Sequence, residues 1–163
     1  RDHGAPVYGT ERIPVNSYRI PAVLFAPDPA YRGVAIDRLA SQVDLAPTLL
    51  SLAGVAYDAP FFGQDLLGLP PDGGRALVNH NRSIGILTDS TLVVLGLHRS
   101  RTFYERADRK SDTFIEADDE SPSHRNLAAD AAAIFQTAYQ TYREGGFRLP
   151  EVSVVRSITP EPH

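Results

Sequence analysis

One long amphipathic pattern near the end of the chain limits the architectures available to it. Between Ser121 and the pair Gly145-Gly146, apolar side chains recur at helical spacing and form a single stripe: Leu127, Ala131, Ile134, Phe135, Ala138 and Tyr142. A helix with one apolar stripe must bury that stripe against another element. Pro122 is acceptable in a first helical turn, and glycines commonly end helices. The sequence therefore predicts a long helix that covers one face of a neighbouring element.

Four short stretches upstream of this helix supply the element to be covered. They are rich in Val, Ile, Leu and Thr and are separated by turn residues, which is typical of antiparallel strands. The predicted strands are residues 76–80, 84–88, 92–97 and 102–106. Asp89-Ser90 fits a hairpin turn, although it lacks the glycine of the strongest hairpin signals. Residues 107–121 carry charges of both signs, so we expect an exposed loop there, and residues 151–156 are a predicted edge strand.

The region before residue 76 follows a different pattern. Residues 20–26 are apolar at consecutive positions between two prolines, which is typical of a short strand buried on both faces of a parallel sheet. Residues 44–54 predict a helix. Asp44 can cap its first turn, and Pro47 lies in that turn. Gly54 suits the left-handed backbone conformation in which many helices end. The helix would turn four residues toward the sheet: Leu45, Thr48, Leu49 and Leu52.

Composition excludes several classes of protein. The chain has 163 residues, 42% of them hydrophobic, which is enough for one domain with a core. The net charge is -4, and the sequence has no run of Lys or Arg that could bind along a phosphate backbone. We therefore expect no nucleic-acid partner. The absence of cysteine excludes disulfides and thiolate metal ligands. No apolar run approaches the roughly 18 residues that a membrane-spanning helix needs.

The first residues of the chain carry the strongest chemical signal. Asp2 and His3 place a carboxylate beside an imidazole, and Gly4 provides the turn on which both side chains can converge on one metal ion. The alternative interpretation is a solvated turn. Arg19 is a fixed cation that can bind a phosphate or sulfate oxygen, or form a surface ion pair instead. The other four histidines each lack a second histidine at the spacing typical of metal ligands: His80, His98, His124 and His163.

Four stretches together resemble sulfatase-like enzymes of the alkaline phosphatase superfamily, in particular the lipoteichoic acid synthase and phosphoglycerol transferase branch. They are Asp2-His3-Gly4 and residues 19–27, 41–54 and 60–67. The resemblance implies an α/β fold, namely the C-terminal fragment of an alkaline phosphatase-like sandwich with a terminal antiparallel sheet covered by a long helix. Residues 1–72 would be the end of the α/β catalytic portion, and residues 73–163 the antiparallel strands and helix.

The resemblance also implies a chemistry. Asp2 and His3 would be metal ligands and Arg19 a substrate-binding residue, with manganese the expected ion and magnesium, calcium or zinc as alternatives. The substrate would be an anionic phosphate or sulfate ester, such as phosphatidylglycerol, at the extracytoplasmic face of a membrane-anchored bacterial protein. The threonine nucleophile of that branch has no match here, so we expect no catalytic residue in this chain, a missing N-terminal part, and no activity in isolation. The alternative function is a non-catalytic binding or structural domain of the same ancestry.

Overall fold

A computed structural model of the chain describes residues 13–26, 28–108, 113–118 and 120–148. It contains two α-helices and five strands: α1 (Leu45–Leu52), β1 (Ala76–His80), β2 (Ser83–Leu87), β3 (Thr91–Leu95), β4 (Arg101–Arg106), β5 (Phe114–Glu116) and α2 (Pro122–Arg143). Short 3-10 turns occupy Val15–Tyr18, Pro29–Tyr31, Gln42–Asp44 and Leu97–Arg99. The predicted ligands Asp2 and His3 and the predicted edge strand at residues 151–156 lie outside the described residues.

The five strands form one antiparallel sheet in chain order, β1-β2-β3-β4-β5. Helix α2 covers one face of it. Ile86 lies opposite Val93, and Val93 opposite Phe103. These side chains pack with Ala128 and Ala131 of the helix in one buried cluster. The predicted long helix on an antiparallel sheet is therefore confirmed.

The opposite face of the sheet has a cover of its own. Leu87 pairs with Leu92, and both side chains pack in a second cluster with Val94 and with Ile13 from the start of the described chain. Because both faces are covered, β3 is buried at three successive positions, although most antiparallel strands alternate between buried and exposed residues.

Two details of the sheet and of α2 differ from the prediction. Residues 114–116 are a fifth strand, paired with β4 through Glu105 opposite Ile115, so the expected loop at 107–121 was too long. The strand is short and its central Ile115 is 60% exposed, which explains its weak signal in the sequence. On α2, the apolar stripe holds through Ile134, but Tyr142 is 74% exposed because the helix runs past the sheet.

The prediction of a buried strand at residues 20–26 was wrong. The segment has no helix or strand, and the side chains of residues 20–25 are exposed, with Val23 at 93% and Phe25 at 99%. An apolar run of this kind becomes a strand only when a neighbouring strand satisfies its backbone. Within the described ranges nothing pairs with it, and Pro21 has no N–H to donate.

Helix α1 forms where predicted, but its contacts differ. Gly54 has φ +65° at its C-terminal end, as expected of a left-handed cap. The Asp44 side chain makes no capping bond to this helix. Thr48 is buried, whereas Leu49 is 45% exposed, so the expectation that Leu49 faces a sheet was also wrong. No helix in the described parts of the chain is both long enough and apolar enough to cross a membrane.

Candidate functional site

Ile13, the first residue that the structure describes, is fixed to the sheet. Ile13 is 5% exposed and lies in the cluster on the face opposite α2. Gly85 in β2 leaves room for it, since a Cβ atom there would lie 3.2 Å from Ile13 Cδ1 and 2.5 Å from the Val93 carbonyl oxygen. The sheet thus anchors the chain ten residues after His3, and Asp2 and His3 themselves lie outside the described part.

A second anchor lies at Tyr18, the end of the first 3-10 turn. Its hydroxyl donates to the Asn79 carbonyl at 2.8 Å and lies 2.8 Å from His80 Nδ1, with the two rings edge to face at 6.1 Å. Both bonds form together when His80 carries its proton on Nδ1 and donates it to the Tyr18 oxygen. Burial raises the pKa of Tyr18 above its ordinary value. The phenol therefore stays neutral and serves as a tie between the first turn and β1.

Arg19 is exposed directly after this anchor. Its backbone has left the 3-10 turn for an extended conformation, with φ -71° and ψ 116°. The position of its Cα atom is thus set by the neighbouring Tyr18, while its predicted role in binding a substrate anion stays a prediction.

Asp44 is the most buried acidic residue described, at 2% exposure, and its role is structural. One carboxylate oxygen accepts from Ser41 N at 2.6 Å, and the other accepts from Gln64 N at 2.7 Å. Both oxygens thus accept hydrogen bonds from backbone N–H groups of partly buried residues, which would lose these partners without the carboxylate. The carboxylate fastens residues 62–68 to the start of α1, which supports a structural and not a catalytic interpretation.

Thr48 and Gly63 complete the same junction. The Thr48 hydroxyl donates to the Asp44 carbonyl at 2.6 Å and accepts from Leu66 N at 3.0 Å. At Gly63 a Cβ atom would lie 2.0 Å from the Val43 carbonyl oxygen, so only glycine permits this approach. The predicted helix and the loop after it are therefore one hydrogen-bonded unit, which the sequence pattern alone did not reveal.

His124 is the one histidine among the described residues that is buried, at 4% exposure. Its Nδ1 accepts from Ser121 N at 3.4 Å, and the Ser121 hydroxyl accepts from His124 N at 3.2 Å. Its Nε2 lies 3.4 Å from a Glu105 carboxylate oxygen, and its ring stacks on Phe103 at 5.0 Å. This reciprocal cap at the start of α2 was missed, because the usual signature has Glu or Gln in the position of His124.

The described residues do not contain a metal centre. Across residues 13–26, 28–108, 113–118 and 120–148, no three His, Asp or Glu side chains come together in a group that could hold an ion. The surface hollows near the end of α2, one of them about 410 Å³ and lined by Tyr139, Gln140, Arg143 and Glu144, contain none of the predicted site residues.

Comparison with known proteins gives one informative result. No protein-family profile matches the chain. Among solved structures, the chain is similar to a protein in the alkaline phosphatase superfamily from Vibrio parahaemolyticus, known at 1.95 Å. The TM-score is 0.71 and the sequence identity 30%, over 91% of this chain and 35% of that one. This similarity supports a place in the alkaline phosphatase superfamily.

The extent of the match is as important as its quality. The chain spans about a third of the length of the Vibrio protein. The matched part covers nearly the whole of this chain, whereas most of the Vibrio protein has no counterpart here. The particular branch, the reaction and the substrate are matters for proposal.

Proposed function

We propose that this chain is part of a metal-dependent phosphoglycerol transferase, or of a sulfatase-like hydrolase of phosphodiesters or sulfate esters. The observation that supports the proposal is the similarity, at a TM-score of 0.71, to an alkaline phosphatase superfamily protein over 91% of the chain. In this proposal the sheet and α2 act as a scaffold, and the chemistry belongs to the segment that Ile13 and Tyr18 attach to it.

Asp2 and His3 are the proposed metal ligands. A carboxylate oxygen and an imidazole nitrogen suit manganese, and also magnesium, calcium or zinc. When bound, a divalent ion would neutralise the negative charge of a phosphate or sulfate ester. Two ligands are too few for tight binding, and the described residues offer no group of three. In the proposal, the remaining ligands and the nucleophile come from a further part of the same protein.

Arg19 is the proposed contact for the anionic substrate. Its guanidinium group has the planar geometry that binds two oxygens of a phosphate or sulfate at once. It follows the Tyr18 anchor directly, which restricts where its side chain can reach. The substrate in this proposal is an anionic ester such as phosphatidylglycerol, and the working location is the extracytoplasmic face of a membrane-anchored bacterial protein.

The test is a set of variants in the full-length gene product. Asp2→Ala and His3→Ala should each abolish most phosphodiester or phosphoglycerol release and lower the bound manganese, with no change in thermal midpoint. Asp72→Ala and His98→Ala are the matched controls, because both residues are exposed and lie outside the proposed ligand set. They should retain wild-type turnover.

Two results would count against the enzymatic proposal. Wild-type turnover in both ligand variants would make Asp2-His3-Gly4 an ordinary turn. A full-length protein that binds the anionic ester but shows no release in any variant, including the wild type, would favour the alternative of a non-catalytic domain.

Isothermal titration of manganese into the 163-residue chain should show weak binding or none.

A further inference from the structure

The edge strand β1 ends in a histidine whose ring is held at one nitrogen only. His80 pairs with Ser83 across the turn formed by Asn81 and Arg82. Its side chain is half-buried, and its Nδ1 atom lies 2.8 Å from the Tyr18 hydroxyl. Among the described residues the ring makes no other hydrogen bond and no ion pair with a carboxylate. The second ring nitrogen, Nε2, therefore has no partner in the described part of the chain.

The hydrogen bonds of Tyr18 determine which nitrogen of His80 carries the proton. The phenol donates its one proton to the Asn79 carbonyl oxygen at 2.8 Å, so its oxygen accepts from His80 Nδ1. Burial raises the pKa of Tyr18, which keeps the phenol protonated. In the neutral imidazole the proton is then on Nδ1, and Nε2 has the lone pair. This is the arrangement of histidines that act as general bases or bind metals, because the partner at one nitrogen orients the other.

Two observations favour a proton acceptor over a metal ligand. Across residues 13–26, 28–108, 113–118 and 120–148, no three His, Asp or Glu side chains form a group that could hold an ion, so His80 has no set of co-ligands there. The charged residues nearest in sequence to Tyr18 and His80 are the cations Arg19 and Arg82, and both are exposed. Cations attract an anionic ester, and the transfer of such an ester to a hydroxyl group needs a base.

The imidazole lies on the face of the sheet to which the start of the chain is attached. Alternate residues of a strand share a face, so His80 lies on the same face as Val78. Val78 packs with Ile13 in the cluster opposite α2, and Tyr18 reaches His80 from the same segment. The proposed metal ligands precede this segment in the sequence, and the proposed substrate contact directly follows Tyr18. His80 is therefore tied to the part of the chain that contains both.

We propose that His80 is a general base of the site, and that its Nε2 takes the proton of the hydroxyl group that attacks the phosphate or sulfate ester. The hydroxyl oxygen, from water or an alcohol, forms the new bond to phosphorus or sulfur. The bond to the leaving oxygen breaks, and that oxygen keeps the electron pair and receives the proton from Nε2, which returns the imidazole to its neutral state. Tyr18 is a positioning residue, because it holds Nδ1. This inference rests on the proposed function and assigns a catalytic residue where the sequence predicted none.

The first test is chemical labelling of the full-length gene product with diethyl pyrocarbonate, which acylates accessible, unprotonated imidazole nitrogens. His80 should be labelled, and bis(p-nitrophenyl) phosphate, a soluble anionic phosphodiester, should protect it. His98 is exposed and should be labelled equally with and without the ester. His124, at 4% exposure, should be labelled most slowly. Labelling of His80 that is as slow as that of His124, or that the ester leaves unchanged, would overturn the inference.

The second test separates catalysis from the structural tie. An asparagine amide N–H lies close to the position of Nδ1, so His80→Asn keeps the donor to Tyr18 but removes the base. This variant should lower kcat for the phosphodiester about 100-fold or more, with KM and the thermal midpoint unchanged. Wild-type kcat in His80→Asn would overturn the inference and make His80 a structural partner of Tyr18 alone.

The role of Tyr18 has its own readout. Tyr18→Phe removes the acceptor for the Nδ1 proton, so the nitrogen NMR shifts of the His80 ring should move toward the tautomer with its proton on Nε2. The variant should also lower kcat, but less than His80→Asn, because the base is still present. Unchanged ring shifts would contradict the positioning role.

The tests distinguish this inference from the proposed function. Loss of turnover in Asp2→Ala and His3→Ala, together with wild-type turnover in His80→Asn, would overturn this inference alone. A wild-type protein that releases no product from any ester would overturn both, and ester protection of His80 would then identify a binding residue of a non-catalytic domain.

Discussion

Residues 76–148 and residues 20–61 both contain many apolar side chains but use them differently. In the first region the apolar residues of four strands and α2 are buried in two clusters. In the second, the buried residues are Asp44, Pro47 and Thr48, while exposed apolar side chains run from Ile20 to Phe61. We call residues 76–148 the closed region, because the apolar side chains of its strands and helix are largely buried. We call residues 20–61 the open region, because they present an apolar surface.

The difference follows from how far along the chain each element finds its partner. Every strand of the sheet pairs with the strand next to it in sequence, so short connections are enough to complete it. A strand buried in a parallel sheet instead needs partners separated by long crossovers. Residues 20–26 have the composition of such a strand, but none of the described residues supplies a partner.

The largest effect is expected in the closed region. Ile86 is 1% exposed and lies between the sheet and α2, so Ile86→Ala should lower the free energy of unfolding by about 2–5 kcal/mol through lost burial and a residual cavity. Phe25→Ala is the contrasting variant, because Phe25 is 99% exposed. Urea denaturation of the 163-residue chain should show little change for it. Similar losses in both would mean that residues 20–26 are covered.

The second effect concerns the one buried junction of the open region. Asp44→Ala leaves the N–H groups of Ser41 and Gln64 without their acceptors and should cost on the order of 2 kcal/mol or more, since each buried unsatisfied group costs about 1–3 kcal/mol. Asp44→Asn keeps one oxygen acceptor and should lose less. The measurement is again urea denaturation, with Asp72→Ala as the exposed control. Identical losses for the Ala and Asn variants would argue that the two bonds do not act separately.

The third effect concerns the tie between the first 3-10 turn and β1. Tyr18→Phe removes the hydrogen bonds to Asn79 and His80 and should cost about 0.5–1.5 kcal/mol at neutral pH. The pKa of Tyr18 is raised by burial above its ordinary value of 10.0. The folded state therefore holds this proton more tightly, and its stabilising contribution is complete below pH 10.0 and is lost as the pH rises through the folded pKa.

The pH dependence gives this prediction a control. Free energies of unfolding measured from pH 8 to 11 should fall more steeply for the wild type than for Tyr18→Phe. Tyr142→Phe, at an exposed position, should follow the wild type. Parallel curves for Tyr18→Phe and the wild type would show that the phenol is not protected in the folded protein.

The sequence predicted the closed region well and the open region poorly, for a physical reason. The period of the stripe on α2 and the turns between strands are local signals. They predicted a helix between Ser121 and Gly145-Gly146, and the structure has α2 at Pro122–Arg143. The apolar side chains of residues 20–26 predicted a buried strand. Apolar composition alone cannot indicate whether a neighbouring strand is available to pair with the segment. The cap at His124 was missed because a histidine stands where the usual signature has Glu or Gln. The junction at Asp44 was missed because its partner Gln64 lies far from it in sequence.

The site was predicted less completely than the fold. The proposed ligands Asp2 and His3 came from a short motif and from the resemblance of four stretches, and they lie outside the described residues. The similarity to the Vibrio protein supports the superfamily, while ligand roles depend on side-chain positions that no periodic pattern encodes. Tyr18 and His80 had no signal in the sequence, because a tyrosine tied to a strand end has no fixed spacing.

The smallest effect is expected at Leu49, and it bears most directly on the contrast between the regions. The helical pattern alone predicted a buried Leu49, for which alanine would cost about 2–5 kcal/mol through a cavity. Since Leu49 is 45% exposed, Leu49→Ala in the 163-residue chain should cost less than about 1 kcal/mol. Leu66→Ala, at a position 8% exposed, is the buried control and should cost more. A loss at Leu49 as large as that at Leu66 would show that this face of α1 is already covered, and the open region would then be closed on that side.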